Sequence, residues 1–182
     1  MYLVKIFHFK GLDFLNVIKT TLSEWDQIQL LEILQKFDNQ HIPDINPWLE
    51  SINDSVVLFA LKLAKIYNQY ESKNYLIALL KHPNATIRID SINVLNHLNV
   101  MEAVPMLKND FVNITLEEQI AFFRMLENIA SENDALFVFE NINNVHFEIK
   151  VSANKIMKFL NVDKLETNRP ENIEQTNNIK AS

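Results

Sequence analysis

Apolar positions recur along this chain at a spacing of 31 residues. Val56, Leu58, Leu61, Leu63, Ala64 and Tyr67 are followed one period later by Ile87, Ile89, Ile92, Val94, Leu95 and Leu98. The next period gives Glu118, Ile120, Phe123, Met125, Leu126 and Ile129, and the one after it Ile149, Val151, Asn154, Ile156, Met157 and Leu160. Only Glu118 and Asn154 are plainly polar. A fixed period of this length marks stacked helical units, each burying its apolar face against the next.

Turn and cap residues divide the period into elements. Ser23 with Asp26 opens a helix carrying Trp25, Ile28, Leu30, Leu31, Leu34 and Phe37, which ends near Asp38-Asn39-Gln40. Pro43 and Pro47 bracket a short helix containing Trp48 and Leu49, and Trp48 is expected in the core beside Ile45 and Leu49. Asn53-Asp54-Ser55 caps a helix to about Asn68, with Glu71 to Lys81 as its partner. Pro83-Asn84 precedes a helix over residues 85–98 and a short one from Glu102 to Lys108. Thr115 with Glu118 forms a capping box for a helix to Ala130, and Ser131 with Asp134 opens the next, through Ile142. A last helix, His146 to Leu160, has no evident partner. The predicted organisation is a segment 1–22, a repeat domain 23–162 and a polar tail 163–182, whose Asn, Glu, Thr and Lys content predicts disorder.

Composition narrows the class. With 182 residues and 48% hydrophobic content the chain has enough apolar surface for a packed core. A single glycine, Gly11, argues against hairpin-rich and phosphate-cradling folds, which need residues at positive φ. The expected class is all-α. With no cysteine there is no disulfide framework, thiolate nucleophile or sulfur-bound zinc, which leaves the compartment open, with a cytoplasmic setting as the expectation. A formal net charge of −6 repels phosphate, so nucleic acid is disfavoured as a partner.

The first 22 residues run against that charge, with Lys5, Lys10 and Lys19 facing only Asp13. Tyr2, Leu3, Val4, Ile6, Phe7 and Phe9 are apolar, but Lys5, His8, Lys10 and Asp13 interrupt them too often for a membrane span. Two readings stand: a cap over the open end of the first repeat, or an amphipathic segment touching an anionic membrane at its inner face.

The repeating units resemble short HEAT-like repeats. Glu71-Ser72-Lys73-Asn74-Tyr75-Leu76-Ile77-Ala78-Leu79-Leu80-Lys81-His82-Pro83 followed by Ala85-Thr86-Ile87-Arg88 looks like that family's B helix, turn and next A helix, and Met101-Glu102-Ala103-Val104-Pro105-Met106-Leu107 matches the B-helix opening more closely. Leu22-Ser23-Glu24-Trp25-Asp26-Gln27, Pro43-Asp44, Trp48-Leu49 and Asn53 to Leu61 are similar to uncharacterised bacterial HEAT-repeat proteins, which often carry a transmembrane helix ahead of the repeats. The first 22 residues cannot supply that helix, so the chain is expected to be a soluble relative or to lack an upstream part. The resemblance implies a right-handed α-solenoid of about four and a half helical hairpins, armadillo-like in outline.

Catalytic chemistry is not indicated. His8, His41, His82, His97 and His146 are scattered, without the His-Glu pairs that HEAT-like metal hydroxylases resemble one another in carrying, so no metal or cofactor is expected. Trp25 and Trp48 lack the basic cleft of HEAT-like glycosylases. Each histidine reads as a turn or surface residue.

The expected function is therefore protein–protein interaction by a non-catalytic scaffold or adaptor. In a helical solenoid the B helices usually line the concave side, where extended ligands dock. Tyr75, Met106 and Phe137 lie 31 apart, each just before a buried anchor, and are expected to form a ridge suited to an apolar segment of a partner protein. The alternative is that they fill the contact between neighbouring B helices. Asn74 and Pro105 precede the first two, and Lys73 would add a positive charge at the edge, favouring an acidic partner. The last helix, through Lys150, Val151, Ala153 and Met157, would expose an apolar stripe unless the tail or a second copy covered it, so a homodimer is a further expectation.

Overall fold

The computed structural model describes residues 21–37 and 44–160. The 1–20 part of the expected N-terminal cap or membrane-surface segment, the helix end at Asp38 to Gln40 and the polar tail lie outside the described residues. Among the described residues the protein is all-helical. The α-helices are α1 (Glu24–Phe37), α2 (Asn46–Leu49), α3 (Asp54–Ile66), α4 (Lys73–Ala78), α5 (Ala85–His97), α6 (Val104–Asp110), α7 (Leu116–Ile129), α8 (Ala135–Glu140) and α9 (Phe147–Phe159). Short 3₁₀ turns at Tyr70–Ser72, Met101–Ala103 and Glu132–Asp134 lead into α4, α6 and α8. The chain divides into two compact units, Met1–Ile129 and Ala130–Ser182.

The helix starts fall on the repeat. Asn53 accepts from the Ser55 N–H at 3.1 Å and Asn84 from the Thr86 N–H at 2.9 Å. Thr115 and Glu118 form the expected capping box, each side chain accepting the other's backbone N–H, at 2.9 and 3.3 Å. His146 occupies the same place before α9, its N–H donated to the Asn144 carboxamide. Short polar side chains at residues 53, 84 and 115 thus satisfy amide groups that a helix start leaves without carbonyl partners.

Helix ends repeat as well. Asn68 and Asn99 adopt positive φ, 50° and 54°, and the following N–H groups, of Gln69 and Val100, reach back to the Ala64 and Leu95 carbonyls at 2.9 and 3.0 Å. This is the Schellman arrangement that glycine usually serves, filled in this chain by asparagine, the next most tolerant residue at that conformation. Asn99→Ala is expected to lower stability by about 1 kcal/mol, and Asn99→Gly to be tolerated. Urea midpoints of the two variants check this; equal values would show that the left-handed turn carries no cost.

In the first unit equivalent long helices pack side by side, α3 against α5 and α5 against α7, with α2 on α3 and α4 on α5. The buried row runs through Val56, Phe59, Ala60, Leu63 and Ala64 of α3, Ile87, Ile92 and Leu95 of α5, and Phe122, Phe123, Met125 and Leu126 of α7. Trp48 is buried with Ile45 and Leu49, as the pattern around Pro47 predicts. Among the described side chains of α1, Gln27, Leu30 and Leu34 are buried, whereas Trp25 is 66% exposed. Polar bonds cross between units of the repeat: Leu22 N–H to Ser55 Oγ at 2.8 Å, Asn84 to Asp54 at 2.7 Å, Asn128 to Asn96 at 2.9 Å.

The polar Glu118 at an apolar repeat position has a local explanation. Its side chain is 1% exposed and takes two bonds from the Arg88 guanidinium, Nε at 2.6 Å and Nη2 at 3.1 Å, 30 residues earlier. Arg88 also donates to the carbonyls of His82 and Pro83. The ion pair thereby ties the start of α7 to the turn before α5.

In the second unit α8 packs on α9. The buried side of α9 is Ile149, Ser152, Ala153 and Ile156, a helical stripe at i, i+3, i+4 and i+7.

Candidate functional site

The short helices place the residues expected to bind a partner. Leu76 anchors α4 and Val104 with Leu107 anchor α6, all buried. One residue before Leu76 and Leu107, Tyr75 and Met106 are half-buried, and one before these, Asn74 and Pro105 are exposed. Pro105 costs no helical hydrogen bond there, because it stands in the first turn. In the second unit Phe137 is half-buried beside exposed Leu136, with Ala135 and Val138 buried. Tyr75 and Met106 therefore share the first unit, whereas Phe137 belongs to the second. In each unit the exposed position is the one just before the expected binding residue: Asn74 and Pro105 in the first unit and Leu136 in the second.

Two further apolar groups at the repeat spacing were missed by the sequence reading. Tyr70 and Met101 open the 3₁₀ turns before α4 and α6, and Met101 is 55% exposed. Their signal was available, since they stand 31 apart.

Lys73 differs from its expected role. Its ammonium bonds Glu102 at 2.5 Å and the Tyr70 hydroxyl at 3.2 Å, and lies 4.7 Å from the centre of the Tyr70 ring. The bond to Glu102, with a smaller contribution from Tyr70, holds the ammonium above its ordinary pKa, and the same bond holds Glu102 below its own. The positive charge is compensated within the chain by a residue one repeat away, so Lys73 is not the free cation that would select an acidic partner.

A second surface lies across the long helices. An open depression of about 460 Å³ is lined by Leu61, Lys62 and Lys65 of α3, by Asp90, Asn93, Val94, Asn96 and His97 of α5, and by Asn128 of α7. Lys62 donates to the Gln27 carboxamide at 2.6 Å, and His97 shares a 3.0 Å bond with Asn68. Asp90 is half-buried, and burial pushes its carboxyl pKa up, offset in part by Lys62 and Lys65. Its counterparts one repeat away on either side are Phe59 and Ala121, both buried. An acidic side chain in that register was legible as a departure from the repeat.

The raised Asp90 pKa has a definite sign. Below the ordinary aspartate range the group is protonated folded and unfolded alike and contributes nothing; as pH rises through that range, ionisation is harder in the folded state and stability falls. Asp90→Asn is therefore expected to raise the melting temperature at pH 7, the gain vanishing toward pH 3. A gain that persisted at pH 3, or none at pH 7, would contradict the desolvation account.

On α9 the expected apolar stripe is interrupted. Ala153 is buried, Val151 and Met157 are half-buried, and Lys150 is exposed. Asn154 takes the place that Leu61, Ile92 and Phe123 hold in earlier repeats, and its amide donates to the carbonyls of Lys150 and Ile142. The exposed apolar groups of α9 are Phe147 and Phe159 at its two ends.

His82 accepts the Asn84 N–H in a turn and His97 and His146 are exposed. Among the described residues no three His, Cys, Asp or Glu side chains are grouped so as to hold a metal ion, and no helix is long and apolar enough to cross a membrane. Compared with protein-family models, curated proteins and solved structures, the chain has no significant match.

Proposed function

We propose that this chain is a right-handed solenoid of HEAT-like helical hairpins acting as a non-catalytic scaffold or adaptor, and that a partner protein docks on the face formed by its short helices. The recurrence of side-chain caps at residues 53, 84 and 115, of a helix start after residue 146, and of left-handed asparagines at 68 and 99 supports the repeat reading. The observation that carries the binding reading is the group of apolar side chains at α4 and α6: exposed Tyr70 and Met101 with half-buried Tyr75 and Met106, bordered by Asn74 and Pro105. Thioether and aromatic groups adapt to an apolar partner segment at low entropic cost, and their spacing by one repeat matches a ligand lying across consecutive units. The self-compensated Tyr70, Lys73 and Glu102 cluster makes the edge of this face polar without net charge.

The test uses exposed positions, so that folding is retained. Wild-type chain and an Asn74→Glu, Met101→Glu, Pro105→Glu variant of equal melting temperature are immobilised and exposed to extract from the native cell. Proteins retained by the wild type and lost by the variant would support the docking face and name the partner. The same proteins on both would exclude this face. Recovery of the wild type only with anionic liposomes would instead support a peripheral membrane role.

A further inference from the structure

The depression across α3, α5 and α7 contains polar side chains that take no hydrogen bond from the described residues. Most of its rim is engaged: Lys62 bonds Gln27, Asn96 bonds Asn128, and His97 bonds Asn68. Between these fixed groups, the side chains of Lys65, Asp90 and Asn93 take no hydrogen bond from other described residues. Together they offer an ammonium donor, a carboxylate acceptor, and a carboxamide that is both. Asp90 in particular is desolvated, flanked at longer range by Lys62 and Lys65, and set in a register that Phe59 and Ala121 fill with apolar groups. Its oxygens stay open to solvent in the depression, and a carboxyl whose ionisation burial disfavours, set in a concave surface, is the kind of group that concentrates where ligands bind.

The arrangement suits a particular chemistry. Asp90, Asn93, Asn96 and His97 lie at i, i+3, i+6 and i+7 along one side of α5. At a rise of about 1.5 Å per residue the stripe is about 10 Å long, the length of about three residues of extended chain. The depression is too open to enclose a small metabolite, which binding sites ordinarily surround. A phosphate or nucleic acid would meet the Asp90 carboxylate, and a cationic side chain would meet Lys62 and Lys65. Neutral amide groups, which present donors and acceptors in alternation, satisfy all three free side chains at once.

We propose that this depression binds an extended segment of a partner protein through its main chain, Asp90 accepting amide N–H groups, Asn93 pairing with a peptide unit and Lys65 donating to a carbonyl. The site lies on the long helices and is separate from the short-helix face proposed above, so either reading can fail alone.

The experiment probes an immobilised array of random 12-residue peptides with the full chain, then measures the best-retained peptide by titration calorimetry. The expected result is a peptide whose affinity falls about ten-fold or more with Asp90→Ala, Asn93→Ala in a chain of unchanged helicity, and by a similar factor when its central amides are N-methylated. The isosteric Asp90→Asn variant, expected to be at least as stable as wild type, should also bind more weakly, which separates loss of the site from loss of fold. The Asn74→Glu, Met101→Glu, Pro105→Glu variant should bind unchanged. Retention of no peptide, indifference to the Asp90 and Asn93 variants, or indifference to N-methylation would each overturn the assignment. Loss of binding only in the short-helix variant would overturn it too, and move the peptide to that face.

Discussion

Glu118→Ala is expected to destabilise the protein by about 3 kcal/mol, lowering its melting temperature by roughly 5–10 °C. The carboxylate removed is buried, receives two bonds from Arg88, and closes the capping box with Thr115. Truncation strands the guanidinium and leaves the Thr115 N–H without its acceptor. The cost falls at the lower end for breaking a buried pair, because Arg88 remains partly exposed and keeps the His82 and Pro83 carbonyls. Replacing both partners together, Arg88→Met with Glu118→Leu, should cost less than the sum of the single changes, since no lone charge is left behind. Additive losses would show that the pair is not coupled.

The same pair makes stability depend on acid. Burial alone would push the Glu118 carboxyl pKa up, but the bonds from Arg88 and Thr115 outweigh it and hold the group below the usual glutamate range. A depressed carboxyl contributes fully above its unfolded pKa of about 4.3 and loses that contribution as pH falls through the folded value. The gap in stability between wild type and Glu118→Gln should accordingly be largest near neutrality and narrow below about pH 4. Urea titrations at pH 7 and pH 3.5 measure it, and a constant gap would count against the charge pairing.

Phe122→Ala is expected to cost about 4 kcal/mol. The ring is fully buried and packs against Phe123 at 6.3 Å and Phe111 at 6.2 Å between centroids, and Phe111 meets Phe123 edge-on at 5.6 Å. The equivalent residues in the two preceding repeats are Ala60 and Ser91, so the variant restores the small side chain found there. It should nevertheless leave a cavity, because the aromatic neighbours are fixed by one another and cannot collapse into the space. Phe122→Leu should recover more than half of the loss. An alanine variant within 1 kcal/mol of wild type would mean that the repeat closes around the small residue as it does at Ala60, contrary to the cavity estimate.

The helices and their order were legible because period and cap residues act locally. Asn53, Asn84 and Thr115 satisfy backbone groups within three residues of themselves, and helix starts at Asp54, Ala85 and Leu116 follow from that chemistry alone. Burial of Trp48, Leu76 and Leu107 likewise follows from their apolar spacing. The binding residues were less legible. The ridge of Tyr75, Met106 and Phe137 was inferred from spacing, and half-burial moves the outward position to residues 74, 105 and 136.

Sequence by itself determined that this protein is helical, where its long helices begin, and that its units recur every 31 residues. Tertiary structure decided what the exceptions to that repeat mean. Glu118 is polar in an apolar register because Arg88, 30 residues away, turns toward it, and Lys73 is a neutralised rather than a free charge because Glu102 arrives beside it from the next repeat. Asp90, with the same kind of departure, meets no hydrogen-bonding partner among the described residues and lines the depression. Caps and periodicity are encoded by neighbours in the chain, whereas the pairing of a charge depends on side chains that only packing brings together.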